Sequence, residues 1–156
     1  MIIREVQHSD FPEWHRQRVS LYSQDAPELL MTEIESIFYK RSVENELDYS
    51  VWVAEVFPDK LAGFIEVSLR PDALHSETQP VGYIESLYIE PEYRHQGLGS
   101  QRLQHFVDGY EHVRTKILLT DDEAKQLQFY KKMGYTNTKD IKKVNLNVFV
   151  QMKGLE

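Results

Sequence analysis

Between residues 81 and 120 the chain reads as an apolar strand, a glycine-bearing turn, an amphipathic helix and a second apolar strand, and that order leaves few folds open. "VGYIESLYIE" is the first strand, "PEYRHQGLG" the turn, and "GSQRLQHFVDGYEHV" a helix, with Leu98 just before it and Leu103, Phe106, Val107 and Tyr110 within it at helical intervals. "TKILLT" follows, short and apolar, of the kind buried in a parallel pair. Parallel strands need a crossover, so the stretch predicts a βαβ unit with the glycine turn at the carboxyl end of its first strand.

The remaining elements arrange themselves around that unit. "MIIREV" is a first strand, and "SDFPEW" opens a helix to about Tyr22, with Asp10 placed as its cap, Pro12 in the first turn and Glu13 three residues on. After "SQDAP", residues Leu30, Ile34, Ile37, Phe38 and Arg41 recur at helical spacing and predict a second helix. "YSVWVAEVF", the turn "PDK" and the alternating "LAGFIEVSLR" predict an antiparallel hairpin, followed by the polar loop "PDALHSETQP". "DDEAKQLQFYKKMG" reads as a helix ending at Gly134, and "YTNT" and "VNLNVFVQMK" as closing strands. The sum is an α/β (α+β) arrangement, a mixed, mostly antiparallel central sheet with helices on both faces.

At 156 residues, with 41% hydrophobic and 28% charged side chains, the chain fits one folded domain and not a disordered one. Its net charge of −7 lacks the basic footprint that nucleic-acid phosphates require and favours a cationic partner. Without cysteine there is no disulfide, thiolate metal site or cysteine nucleophile. The opening "MIIREVQHSDF" has no apolar h-region behind a basic start, and no run approaches the roughly 18 apolar residues of a membrane span, so a soluble, cytoplasmic protein without membrane contact is the expectation. The six histidines, His8, His15, His75, His95, His105 and His112, show no metal-ligand spacing, and no metal is expected.

A helix N-terminus presents unpaired N–H groups and a partial positive charge, and glycine lets a phosphate approach the backbone. Arg94, Gly97 and Gly99 therefore read either as a pyrophosphate cradle or as a turn glycine pair beside a surface arginine. The spacing lacks the third glycine of a dinucleotide fingerprint and the G-K-[ST] ending of a phosphate-cradling P-loop.

"LYIEPEYRHQGLGSQRLQHF" resembles the acyl-CoA-binding motif of the GCN5-related N-acetyltransferase superfamily, and "QFYKKMGY" resembles a second motif of that superfamily, a Tyr four residues before Gly-aromatic. Within the superfamily, "GFIEVSLRPDALHSETQPVGYIESLYIEPEYRHQGLG" is similar to the single-domain aminoglycoside 6'-N-acetyltransferases, and Trp14, Arg18 and Leu21 fit that group's W-x-x-x-R-x-x-L spacing. The resemblance implies one N-acetyltransferase domain over residues 1–156, with a splayed βαβ cleft for acyl-CoA, and acetyl-CoA as cosubstrate. It implies main-chain bonds from Leu87 and Ile89 to the pantetheine arm, with a strand bulge near Ile89. It also implies a pyrophosphate site from Arg94, His95, Gln96, Gly97, Leu98, Gly99 and Ser100.

For the acceptor, the resemblance implies that Glu77, Glu85 and Asp121 face a polyamine sugar and that Tyr22 packs on it. Carboxylates suit ammonium groups, and Glu85 stands inside an otherwise apolar strand where an unpaired charge would cost several kcal/mol. Transfer needs a neutral amine, so Glu85 or Asp121 is the candidate base, and Tyr130 matches the superfamily's general acid. The expected activity is acetyl transfer to a primary amine in a ternary complex, with an aminoglycoside 6'-amino group as acceptor. The alternatives are another cationic amine (a polyamine, small metabolite or protein amino group) or a non-catalytic acyl-CoA-binding module. A homodimer through the C-terminal strands is a further expectation from the resemblance.

Overall fold

The computed structural model describes residues 1–42, 49–70, 80–109, 113, 115–119 and 124–140, and the chain divides into two compact units, Met1–Leu119 and Thr120–Glu156. The first unit is a five-stranded sheet in the order β1-β2-β3-β4-β5. Its strands are β1 (Ile2–Glu5), β2 (Tyr49–Phe57), β3 (Lys60–Arg70), β4 (Val81–Ile89) and β5 (Thr115–Leu118). Neighbours pair antiparallel from β1 to β4, and β4 and β5 pair parallel.

Two helices, α1 (Phe11–Leu21) and α2 (Pro27–Ser42), pack on one face, where Trp14, Ile34, Val51, Val53, Phe64 and Tyr88 form the main core. Each large apolar side chain fully buried there is worth about 1.5–3 kcal/mol. The third helix, α3 (Leu98–Gly109), crosses between β4 and β5, and its Leu98 is buried with Ala54 and Ala62 in a separate cluster. The βαβ unit read from the sequence is present. Among the described residues, no helix is long and apolar enough to cross a membrane.

Local chemistry explains the turns. Asp59, at φ 62°, closes the β2–β3 hairpin between the paired residues Phe57 and Lys60. Gly63 is required by closeness: a Cβ there would lie 2.1 Å from the Tyr88 carbonyl oxygen of the adjoining strand.

Several sequence expectations are corrected. β3, read as an alternating hairpin strand, is buried on both sides from Leu61 to Ser68 because helices cover both. The buried side of α1 is Phe11, Trp14, Gln17 and Arg18, half of it polar, whereas Leu21 is exposed. Asp10 occupies the N-cap of α1 but makes no side-chain bond into it; its carboxylate turns back to the Gln7 N–H at 2.7 Å and to Arg4 at 2.7 Å.

In the second unit, α4 (Ala124–Lys132) ends in a left-handed glycine cap. Gly134 has φ 85°, its N–H bonds the Lys131 carbonyl at 3.1 Å, and the Tyr135 N–H bonds the Tyr130 carbonyl at 3.0 Å. "YTNT" is not a strand: the backbone runs irregularly and then forms a 3-10 turn at Thr138–Asp140, tied to α4 by a Lys131–Asp140 ion pair of 3.0 Å. "VNLNVFVQMK", and the dimer contact expected of it, lie outside the described residues.

Candidate active site

The site begins on α1. Trp14 and Arg18 are one helical turn apart and therefore share a face, which lies on the middle of β3. There the Trp14 indole N–H donates to Glu66 Oε1 at 2.9 Å and Arg18 Nη1 donates to the same oxygen at 2.6 Å. The other carboxylate oxygen, Oε2, accepts from Ser86 Oγ at 2.8 Å and from the Tyr49 hydroxyl at 3.2 Å. Glu66 is 1% exposed, and these four donors offset the desolvation cost of a charge so placed.

The network continues outward. Arg18 also bonds Glu33 of α2, and the Tyr22 hydroxyl, at the C-cap of α1, bonds Ser86 Oγ. Because Ser86 donates to Glu66, its oxygen is free to accept from Tyr22, giving a directional chain from Tyr22 through Ser86 to Glu66. Burial works against the charge of Arg18, but the Glu66 carboxylate holds its guanidinium above the ordinary value. Burial, reinforced by the Glu66 charge, pushes the Tyr49 phenol up, so it remains a donor. Burial also raises Tyr22.

Beside this network β4 departs from regular pairing. Glu66 faces Ser86 and Val67 faces Ile84, so Glu85 is an extra residue, a β-bulge. Successive residues of a regular strand point to opposite faces; here the bulge lets both Glu85 and Ser86 reach the face of β3 that carries Glu66 and Ser68. Glu85 Oε1 accepts from Ser68 Oγ at 2.5 Å and from Arg70 Nη2 at 2.8 Å. The expected bulge near Ile89 is thus corrected to Glu85, while Ile89 is paired with Gly63.

Above these residues lies an open pocket of about 270 Å³. Asp25, Glu33, Glu66 and Glu85 contribute carboxylates to its lining, Tyr22 and Tyr49 contribute rings, and Arg18 is the lone cation among the described lining residues. The surplus of negative charge suits a ligand with several ammonium groups.

The bulge also marks where the sheet opens. The parallel ladder of β4 with β5 runs from Val81↔Thr115 to Ile84↔Leu118. From Glu85 to Ile89 no strand is registered on that edge among the described residues, and Leu87 and Ile89 lie in this half. Past the strand, Pro91–Tyr93 makes a 3-10 turn and Arg94 Nε donates back to the Ile89 carbonyl at 2.8 Å. The Gln96 amide donates to the Glu92 carbonyl at 2.9 Å.

His95 (φ 61°) and Gly97 (φ 82°) then turn the chain left-handed into α3. A Cβ on Gly97 would meet nothing within 4 Å, so the glycine is there for backbone handedness and leaves open space before the helix. The first-turn N–H groups of Leu98, Gly99 and Ser100 have no partner within the helix.

The structure thus brings Tyr22 and Glu85 into one pocket, and places Leu87, Ile89 and the residues from Arg94 to Ser100 along the opened strand edge and the α3 N-terminus. Glu77 and Asp121 lie outside the described residues. Tyr130 is half-buried on α4 of the second unit, its ring centroid 5.1 Å from Phe129 and 6.0 Å from Tyr135. The sequence reading assigned no role to Glu66, Ser86, Tyr49, Asp25 or Glu33. The W-x-x-x-R spacing and the buried acid of "GFIEVS" were the available signals, and they are two halves of one network. Among the described residues, no group of three or more His, Asp or Glu could hold a metal ion.

Comparison with known proteins agrees with this geometry. An aminoglycoside N(6')-acetyltransferase type 1 of Stenotrophomonas maltophilia is 29% identical over 98 residues, 62% of this chain and 59% of the relative, so the match spans less than two thirds of the relative's length. The aminoglycoside 6'-N-acetyltransferase AAC(6')-IG of Acinetobacter haemolyticus superposes with a TM-score of 0.74 at 17% identity, covering 97% of this chain and 99% of its own. AAC(6')-Iy, solved with the bisubstrate analog CoA-S-monomethyl-acetylneamine, gives 0.76 at 17% identity, covering 97% of each chain. At these identities the structural matches speak for the fold. The acetyltransferase (GNAT) family model matches residues 5–135, most of the chain, and the protein belongs to that family.

Proposed function

We propose that the protein transfers an acetyl group from acetyl-CoA to a primary amine of a multiply cationic small molecule, with the 6'-amino group of an aminoglycoside as acceptor. The observation that carries this reading is the carboxylate-lined pocket on β4, built around the Glu85 bulge where β5 leaves the strand.

The residues at the opened edge fit acetyl-CoA. The left-handed turn at His95 and Gly97, the open space at Gly97 and the first-turn N–H groups of α3 suit a pyrophosphate. Arg94 is anchored through Nε, so its Nη donors are the ones that would meet that anion. Main-chain groups of Leu87 and Ile89 would hold the pantetheine arm. Acetyl-CoA supplies the acetyl thioester.

In this reading Glu85, or Asp121, takes a proton from the acceptor's ammonium directly or through a water, freeing the nitrogen lone pair. The nitrogen bonds to the acetyl carbon as the carbon–sulfur bond breaks; the acylated nitrogen releases its remaining surplus proton to water, and Tyr130 gives its phenolic proton to the departing sulfur and regains one from solvent. Glu77, Asp25 and Glu33 receive the remaining ammonium groups, and Tyr22 packs on the acceptor, its hydroxyl set by Ser86.

The test is an acceptor panel with acetyl-CoA, read by thiol release. Release with kanamycin or tobramycin supports the assignment. Release only with spermidine or a peptide amine replaces the acceptor, and CoA binding without turnover of any amine removes the activity. Glu85→Gln is expected to lower turnover about 10²–10⁴-fold with CoA affinity unchanged; equal loss in both would make Glu85 structural.

A further inference from the structure

We propose that Arg70 is a built-in competitor of the acceptor: in the free protein its guanidinium occupies the Glu85 carboxylate that a substrate ammonium must reach. The inference rests on the amine-acceptor reading of the pocket. It concerns how that pocket selects its ligand.

Arg70 ends β3 on the same face as Glu66 and Ser68, four and two residues earlier. Its Nη2 lies 2.8 Å from Glu85 Oε1, and its guanidinium covers the Tyr83 ring at 4.1 Å. Ser68 Oγ reaches that same Oε1 atom at 2.5 Å. One carboxylate oxygen therefore receives a fixed neutral donor and a mobile cationic one.

The mobility follows from exposure. The Arg70 side chain is 49% exposed and that of Glu85 is 24% exposed, whereas Arg18, the arginine that lines the pocket, is 6% exposed against a Glu66 at 1%. Separating Arg18 from Glu66 would strand a buried charge. Separating Arg70 from Glu85 returns the guanidinium to water at small cost, because partly exposed pairs are weak. Arg18 is thus a permanent part of the wall and Arg70 a displaceable occupant.

A group that replaces Arg70 must bring a positive charge of its own, so neutral molecules gain nothing from Glu85 and cationic amines are selected. The competitor also keeps the carboxylate paired when no acceptor is present. Its cost is a weaker apparent affinity for every acceptor that uses Glu85.

The test is calorimetric titration of the whole chain with tobramycin and with spermidine, acetyl-CoA absent, at low salt. Arg70→Ala and Arg70→Gln are each expected to bind about two- to fivefold tighter than wild type, the range a partly exposed ion pair supplies. The gain should vanish when Glu85→Gln is present as well, and thermal midpoints should stay unchanged. Binding by wild type without a gain in either variant overturns the proposal alone, as does a gain that persists in full beside Glu85→Gln. No binding of any amine by wild type or variants overturns the amine reading and this proposal together.

Discussion

Glu66 carries two oxygens and four side-chain donors drawn from α1, β2 and β4, so three separate elements close on one carboxylate. Removing it would leave Arg18 charged, buried and unpaired from it. Glu66→Ala is therefore expected to destabilise the fold by about 3–5 kcal/mol in urea unfolding; a loss below about 1 kcal/mol would show that water rehydrates Arg18. Tyr22→Phe tests the outer end of the chain: it deletes the bond to Ser86 while retaining the ring, so acceptor KM should rise severalfold with stability nearly constant. At this scale the sequence was half legible. Trp14 and Arg18 announce themselves by spacing and Glu85 by being an acid in an apolar strand. That Trp14 and Arg18 meet Glu66 was hidden because the contacts span 52 and 48 residues of chain.

Elements were legible wherever periodicity and turn chemistry agreed: the β2–β3 hairpin, α2, and the β4–α3–β5 crossover. "YTNT" was misread as a strand, and one further local signal carries two meanings. Tyr130, Gly134 and Tyr135 satisfy a helix-ending cap, so part of the Tyr-to-Gly-aromatic spacing is demanded by the backbone of α4 and its end. Gly134→Ala, with φ 85°, should cost about 1 kcal/mol in thermal unfolding. The Tyr135 hydroxyl is buried without a hydrogen-bond partner among the described residues, and burial, helped by Tyr130, pushes its pKa up to about 12. Unfolded tyrosine ionises near 10, so its contribution is fully present below that pH. It fades as pH rises from about 10 through about 12, where only the unfolded phenol has lost its proton. Tyr135→Phe should therefore match or exceed wild-type stability near neutral pH and gain on it across that window in denaturation midpoints. A constant difference would contradict the raised pKa.

For the molecule as a whole, the −7 charge and the acidic pocket act in the same direction on a cationic acceptor. Acceptor KM should rise severalfold as ionic strength is raised through the range where the Debye length falls below about 10 Å; a salt-independent KM would mean that the carboxylates do not face the ligand. Fold class was readable from element order because a crossover between parallel strands admits few topologies. The pocket was not, because it depends on one residue that breaks the ladder. Deleting Glu85 alone would leave Ile84 against Val67 and Ser86 against Glu66, a regular antiparallel pair with its register intact on either side. The smallest possible deletion, a single codon, would thus leave a sound sheet with no carboxylate at this point of β4. With Glu85 in its proposed role, one in-frame event would remove or restore the carboxylate that meets the acceptor without passing through an unfolded protein.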